Sequence, residues 1–190
     1  MLVLGGSYGA GIITKLIATA PKKIEKTVLL MPAGIKNNLS LSIMPLALSM
    51  LQYRLTKNKS YLLKTALQLA AFTDSRDLDQ YILPTLADSF DHVHVRAGMP
   101  SNISEQLAKK CKAPLLIMAA ENDCLFPAHK VLPRAQAIFS NCQTYLLENH
   151  GHLCYLTKQE EQQIITFLKW RTYHENTNLP LLWGNSICHS

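Results

Sequence analysis

The chain opens on MLVLGGSYGAG, and this stretch constrains the fold more than any other. The apolar run Leu2–Leu4 stops at two glycines. Gly11–Ala20 (GIITKLIATA) then has helical spacing, with Ile12, Leu16 and Thr19 or Ala20 on one face, until Pro21 ends it. Between them lies Gly5-Gly6-Ser7-Tyr8-Gly9, a G-x-S-x-G pattern at a strand-to-helix turn. So sharp a turn favours glycines because side chains would collide, and it pushes the serine hydroxyl up into a cleft. Lys26–Gly34 (KTVLLMPAG) reads as a buried strand closed by Pro-Ala-Gly. Strand, turn, helix and strand make a βαβ unit, which requires parallel pairing and an α/β fold.

The rest of the chain alternates in character. Residues 35–110 carry leucines and methionines at helical spacing, in LSLSIMPLALSMLQYRL and SYLLKTALQLAAF. SRDLDQYILPTLADSFDHV reads as a helix pair broken at Pro84, and no strand is expected within 35–110. The Met and Leu stripe reads as helix packing rather than a cofactor box. APLLIMAAENDCLFP (113–127) is a continuous apolar strand running into an acidic turn. VLPRAQAIF is a helix, and CQTYLLENHGH a short strand ending in a loop. Thr157–Trp170 is a strongly amphipathic helix, with Thr157 as N-cap and Glu160 three residues on as its capping box. Residues 171–190 read as a loosely held extension.

Composition narrows the function classes. At 190 residues and 48% hydrophobic content the chain is long enough for a sizeable core. No apolar run reaches the roughly 18 to 20 residues that cross a bilayer, and residues 1–20 lack the basic start of a secretory leader. The net charge is +6, but the lysines and arginines are scattered, with no run of five and no interleaved aromatics. This reads as a solvated surface, so no nucleic-acid partner is expected. Five cysteines (Cys111, Cys124, Cys142, Cys154, Cys188) with no C-x-x-C pair fit a reducing compartment, and a cytoplasmic location is expected. His92 and His94 form an H-x-H pair that nothing nearby completes, so no metal is expected.

Two chemistries fit the opening turn. Gly5, Gly9 and Gly11 also obey the G-x-x-x-G-x-G spacing of a dinucleotide-binding turn in short-chain dehydrogenases. That reading needs a ribose-binding acid at the end of the next strand, which closes instead on LLMPAG. It also needs a late Tyr-x-x-x-Lys pair, and Tyr53 and Lys57 come too early. A nucleophilic serine needs a base to take its proton and an acid to orient that base. Both follow at the ends of later strands: Asp123 in ENDCLFP, then His152 in ENHGHL. Ser7 as a plain turn residue, Asp123 as a turn former, Glu121 as a rival acid and His150 as a rival base remain open alternatives.

With these three loops in the order Ser, Asp, His, the chain resembles the α/β-hydrolase superfamily from Leu2 to about Trp170, most weakly over 35–110. The resemblance implies a partial α/β-hydrolase fold: a mostly parallel sheet of about four strands, the family's fifth to eighth. Residues 1–34 and 111–170 would form the core and 35–110 a helical cap. It further implies catalytic Ser7, Asp123 and His152, with the base after glycine and hence His152 rather than His150. The Tyr8 N–H would be an oxyanion donor, with Gly6 beside it, and no cofactor is implied. Four earlier strands and an oxyanion loop, about 80 to 100 residues, would precede this stretch in the family. The expectation is therefore a truncated serine hydrolase acting on an ester or related acyl substrate. The alternatives are an inactive remnant or interaction module and, less well supported, the dehydrogenase-like domain. A bare first strand would also invite self-association.

Overall fold

The computed structural model describes residues 1–37, 43–92 and 100–169. His94, Trp170, Cys188 and the extension 171–190 lie outside these, as does part of the leucine-rich stretch. Four parallel strands form the sheet, β1 (Leu2–Gly6), β2 (Lys26–Leu30), β3 (Leu115–Ala120) and β4 (Cys142–Leu147), in the spatial order of the sequence. The registers Val3↔Thr27, Thr27↔Leu115 and Leu115↔Cys142 align all four along one line. Every connection is a crossover, so all strand C-termini end on the same side.

Helices cover both faces, as a parallel sheet demands. On one face α1 (Ser7–Thr19), α5 (Glu105–Ala108) and α6 (Ala128–Ile138) pack on Leu29, Leu115, Ile117 and Ala119. On the other, Ile164 and Phe167 of α7 (Lys158–Lys169) cover Val28, Leu116 and Met118. The strands read as unbroken apolar runs because both their faces are buried. The capping box of α7 forms as the sequence indicates: Thr157 N donates to Glu160 Oε2 at 2.7 Å, and Glu160 N to Thr157 Oγ1 at 3.3 Å. At the far end of α7, buried Lys26 donates to the carbonyl of Phe167 at 2.8 Å, a cation at a helix C-terminus.

Between β2 and β3 run α2 (Met44–Thr56), α3 (Lys59–Ala70) and α4 (Ile82–His92), with no strand among the described residues there. The structure departs from the sequence reading in three places. Pro84 does not break a helix; it sits in the first turn of α4, where its missing N–H is not needed. α1 buries Ala10, Gly11, Thr14 and Ile17 and leaves Ile12 exposed, opposite to the face that periodicity picks out. In α2 the inward side carries Leu46, Ser49 and Tyr53, while Met44, Leu48, Leu51 and Leu55 face outward. The methionine–leucine stripe is thus only half used in packing. Tyr53 and Lys57 both meet Asp91 of α4, the tyrosine at 3.3 Å, so they serve a helix contact.

Candidate active site

Three strand ends supply the site. Gly6 is extended (φ −109°, ψ 153°) and Ser7 turns left-handed (φ 48°) as α1 begins. A non-glycine residue there carries strain of about 1–2 kcal/mol. Ala33 N donates to Ser7 O at 3.2 Å, which ties the turn to the loop after β2. Of the motif glycines, Gly5 is sterically required: a Cβ would lie 2.6 Å from Ile13 Cδ1 and 3.1 Å from the Gly9 backbone. A Cβ at Gly6 would make only ordinary contacts, and one at Gly9 would meet nothing within 4 Å. The expectation that the turn needs every glycine thus reduces to Gly5.

Asp123 sits in the turn after β3. Its Oδ1 accepts from Leu125 N at 2.7 Å and Phe126 N at 3.0 Å, leaving Oδ2 for another partner. That partner is His152 Nδ1 at 2.8 Å, with the carboxylate fully buried. The other imidazole nitrogen, Nε2, lies 2.8 Å from Ser7 Oγ. Phe126 meets the imidazole edge-on, ring centroids 5.4 Å apart, and limits its rotation. A carboxylate only accepts, so Nδ1 carries a proton and the neutral ring leaves Nε2 free to accept from a hydroxyl. Hydroxyl, imidazole and carboxylate form one hydrogen-bonded series that can carry a proton away from Ser7 Oγ.

The rival residues have other partners. Glu121 accepts from Asn149 N at 2.9 Å and joins the acid turn to the loop after β4. His150 meets Glu160 and the Glu148 carbonyl. Tyr8 stands in the first turn of α1, where backbone N–H groups have no intrahelical acceptor and the helix dipole favours negative charge. Gly151 has a role that spacing alone does not reveal. A Cβ there would lie 2.3 Å from the backbone of Ala70, so the loop presses directly on the end of α3. Leu153 N adds a hydrogen bond to Leu69 O at 3.1 Å.

A cleft of about 220 Å³ opens between Tyr81, the α4 residues Ile82, Thr85 and Leu86, and the loop residues Leu153, Cys154 and Tyr155. Its walls are mostly apolar. Burial and the nearby acids Glu160 and Asp123 push the Cys154 thiol up to about 11, and burial with Asp123 does the same to Cys124. Neither thiol supplies a thiolate at neutral pH that could compete with the serine. Among the described residues no cluster of His, Cys, Asp or Glu is arranged to hold a metal ion, and no helix is long and apolar enough to cross a membrane.

No family model matches the chain. Carboxylesterase YbfK of Bacillus subtilis is 24% identical to it over 178 residues, 88% of this chain and 55% of that protein. Among solved structures, naproxen esterase (carboxylesterase NP) from Bacillus subtilis superposes with a TM-score of 0.70 at 14% identity, covering 88% of this chain and 59% of that one. Carboxylesterase CesB (YbfK) from the same organism gives 0.69 at 20% identity, with the same coverage. The chain spans a little under 60% of the length of these relatives, and over that span it shares their fold.

Proposed function

We propose that the chain, which shares the fold of α/β-hydrolase carboxylesterases over its span, is a serine hydrolase of that superfamily acting on an ester or related acyl substrate. The single observation that carries this is the unbroken series Ser7 Oγ–His152–Asp123, with two contacts of 2.8 Å drawn from three separate loops. In this reading Ser7 attacks the acyl carbon while His152 Nε2 takes its proton. Asp123 stabilises the imidazolium, which then protonates the leaving alcohol, and water repeats the cycle to release the acid. The Tyr8 N–H, beside Gly6, stabilises the oxyanion; a missing second donor would cost about 2.7 to 4 kcal/mol of transition-state stabilisation. No cofactor enters these steps. Within 35–110 the helices α2 to α4 act as a cap, and the apolar cleft between α4 and Leu153–Tyr155 suits a hydrocarbon portion of the substrate.

The YbfK relative is named a carboxylesterase, which supports the same class. The relatives' greater length and the half-exposed Leu2 and Leu4 on β1 support a further reading: this chain is one part of such an enzyme, and its open β1 edge drives self-association. The mainly buried or half-buried thiols fit a reducing, cytoplasmic setting.

A fluorophosphonate probe tests the proposal. The full chain should be labelled, the label should map to the peptide holding Ser7, and Ser7→Ala should abolish it. A folded sample that takes no label contradicts the enzymatic reading and favours the inactive interaction module.

A further inference from the structure

His152 approaches Ser7 from the far side of the sheet. β4 and β1 are the two edges, three strand spacings or roughly 14 Å apart. The stretch Glu148–His152 must span most of this, so its path decides where the imidazole stands. Two sets of contacts hold it from inside. Asn122 N donates to His150 O at 2.9 Å, and Asn149 N donates to Glu121. Gly151 rests on Ala70. The third contact comes from α7: His150 Nε2 lies 3.4 Å from Glu160 Oε2, with Glu160 buried and the His150 side chain only 18% exposed.

The partners of His150 are informative. Its Nδ1 lies 2.7 Å from the Glu148 carbonyl, which can only accept. Nδ1 therefore carries a proton. Its Nε2 faces a carboxylate, which also only accepts. A neutral ring would turn a bare lone pair toward Glu160, so the 3.4 Å contact is attractive when the ring carries both protons. His152, two residues on, has one acceptor and one hydroxyl and is satisfied as the neutral ring. Two histidines in one loop thus have partners that suit opposite protonation states.

We propose that His150 and Glu160 form a positioning clamp, an imidazolium–carboxylate pair through which the first turn of α7 fixes the loop that aims His152 at Ser7. The inference rests on the hydrolase reading for its catalytic consequence, and for its structure on the Glu148 carbonyl contact and the ion-pair distance to Glu160. Glu160 serves two contacts through one atom, since Oε2 also accepts from Thr157 N. The sequence shows Glu160 only as a helix cap, and nothing in its spacing reveals the second contact.

The test uses the full chain and three variants: His150→Ala, Glu160→Gln and Thr157→Ala. Thr157→Ala weakens the cap but leaves His150 and Glu160 facing each other, so it controls for simple loosening of the helix. With a fluorophosphonate probe, His150→Ala should slow the covalent step about ten- to a hundredfold, the cost of misaimed groups. The probe's binding constant should move little, and Thr157→Ala should stay within about twofold of the parent by the same geometric argument. Equal slowing in both variants overturns the clamp. Imidazole ¹⁵N NMR at neutral pH gives a readout independent of activity. It should find both nitrogens of His150 protonated in the parent and one in Glu160→Gln; a neutral His150 in the parent overturns the proposal. An unlabelled parent whose His150 keeps both protons would retain the clamp and sink the hydrolase reading instead.

Discussion

β3 and β1 are both apolar strands of one sheet, yet they live in different surroundings. All six residues of β3 are buried, with helices on both faces and a strand on each side. β1 pairs on one edge only; Val3 packs toward α1, while Leu2 and Leu4 are 56% and 53% exposed. The acid turn therefore grows from the most constrained strand, and the serine turn from the least constrained. What holds Ser7 in place is local: the close approach of Gly5 to α1 and the Ala33 amide on its carbonyl.

The contrast can be broken by measuring it. Ile117→Ala in β3 removes a fully buried side chain and should cost about 2–5 kcal/mol in urea unfolding, whereas Leu4→Ala should cost under about 0.5. Equal costs would mean that β1 is covered in solution. If the cover is a second copy, Leu4→Lys should shift concentration-dependent sedimentation toward the monomer and leave the fold intact.

Next in size is Gly151→Ala. Its Cβ has only the backbone of Ala70 to meet, so the loop must move, at a cost of about 1–3 kcal/mol with slower probe labelling. A smaller effect than that of Gly151→Ala has the opposite sign. Gly9→Ala places a methyl in open space inside a helix and should raise stability by about 0.5–1 kcal/mol, read as a higher urea midpoint. Destabilisation there would restore the view that the whole motif is sterically required.

What could be read in the sequence follows from how far each interaction reaches. The α7 capping box spans three residues and is visible as Thr157 and Glu160. That the serine, acid and histidine loops gather at one end follows from their order at successive strand ends, which a parallel sheet carries to one side; the preference for His152 over His150 rests on the resemblance, which puts the base after glycine, and Glu121 is separated from Asp123 only by its partners in the structure. What escaped depends on distant partners. Ile12 faces out because the sheet and the insertion take the Ala10–Thr14–Ile17 side of α1. Leu48 and Leu51 look like core residues to any periodicity argument, since α2 is apolar on both faces and only packing with α3 decides which is buried. Gly151 looks like a hinge until the backbone of α3 is seen against it.

The central claim is that Asp123, through His152, makes Ser7 a nucleophile, and a carboxylate-to-amide exchange tests it most directly. Asp123→Asn keeps the shape of the turn but removes the charge opposite the imidazolium, so probe labelling of Ser7 should fall by about 10³- to 10⁴-fold. Glu121→Gln, two residues away, should change it by less than a few-fold. Comparable rates for Asp123→Asn and the parent chain, or a larger loss for Glu121→Gln, would contradict the account.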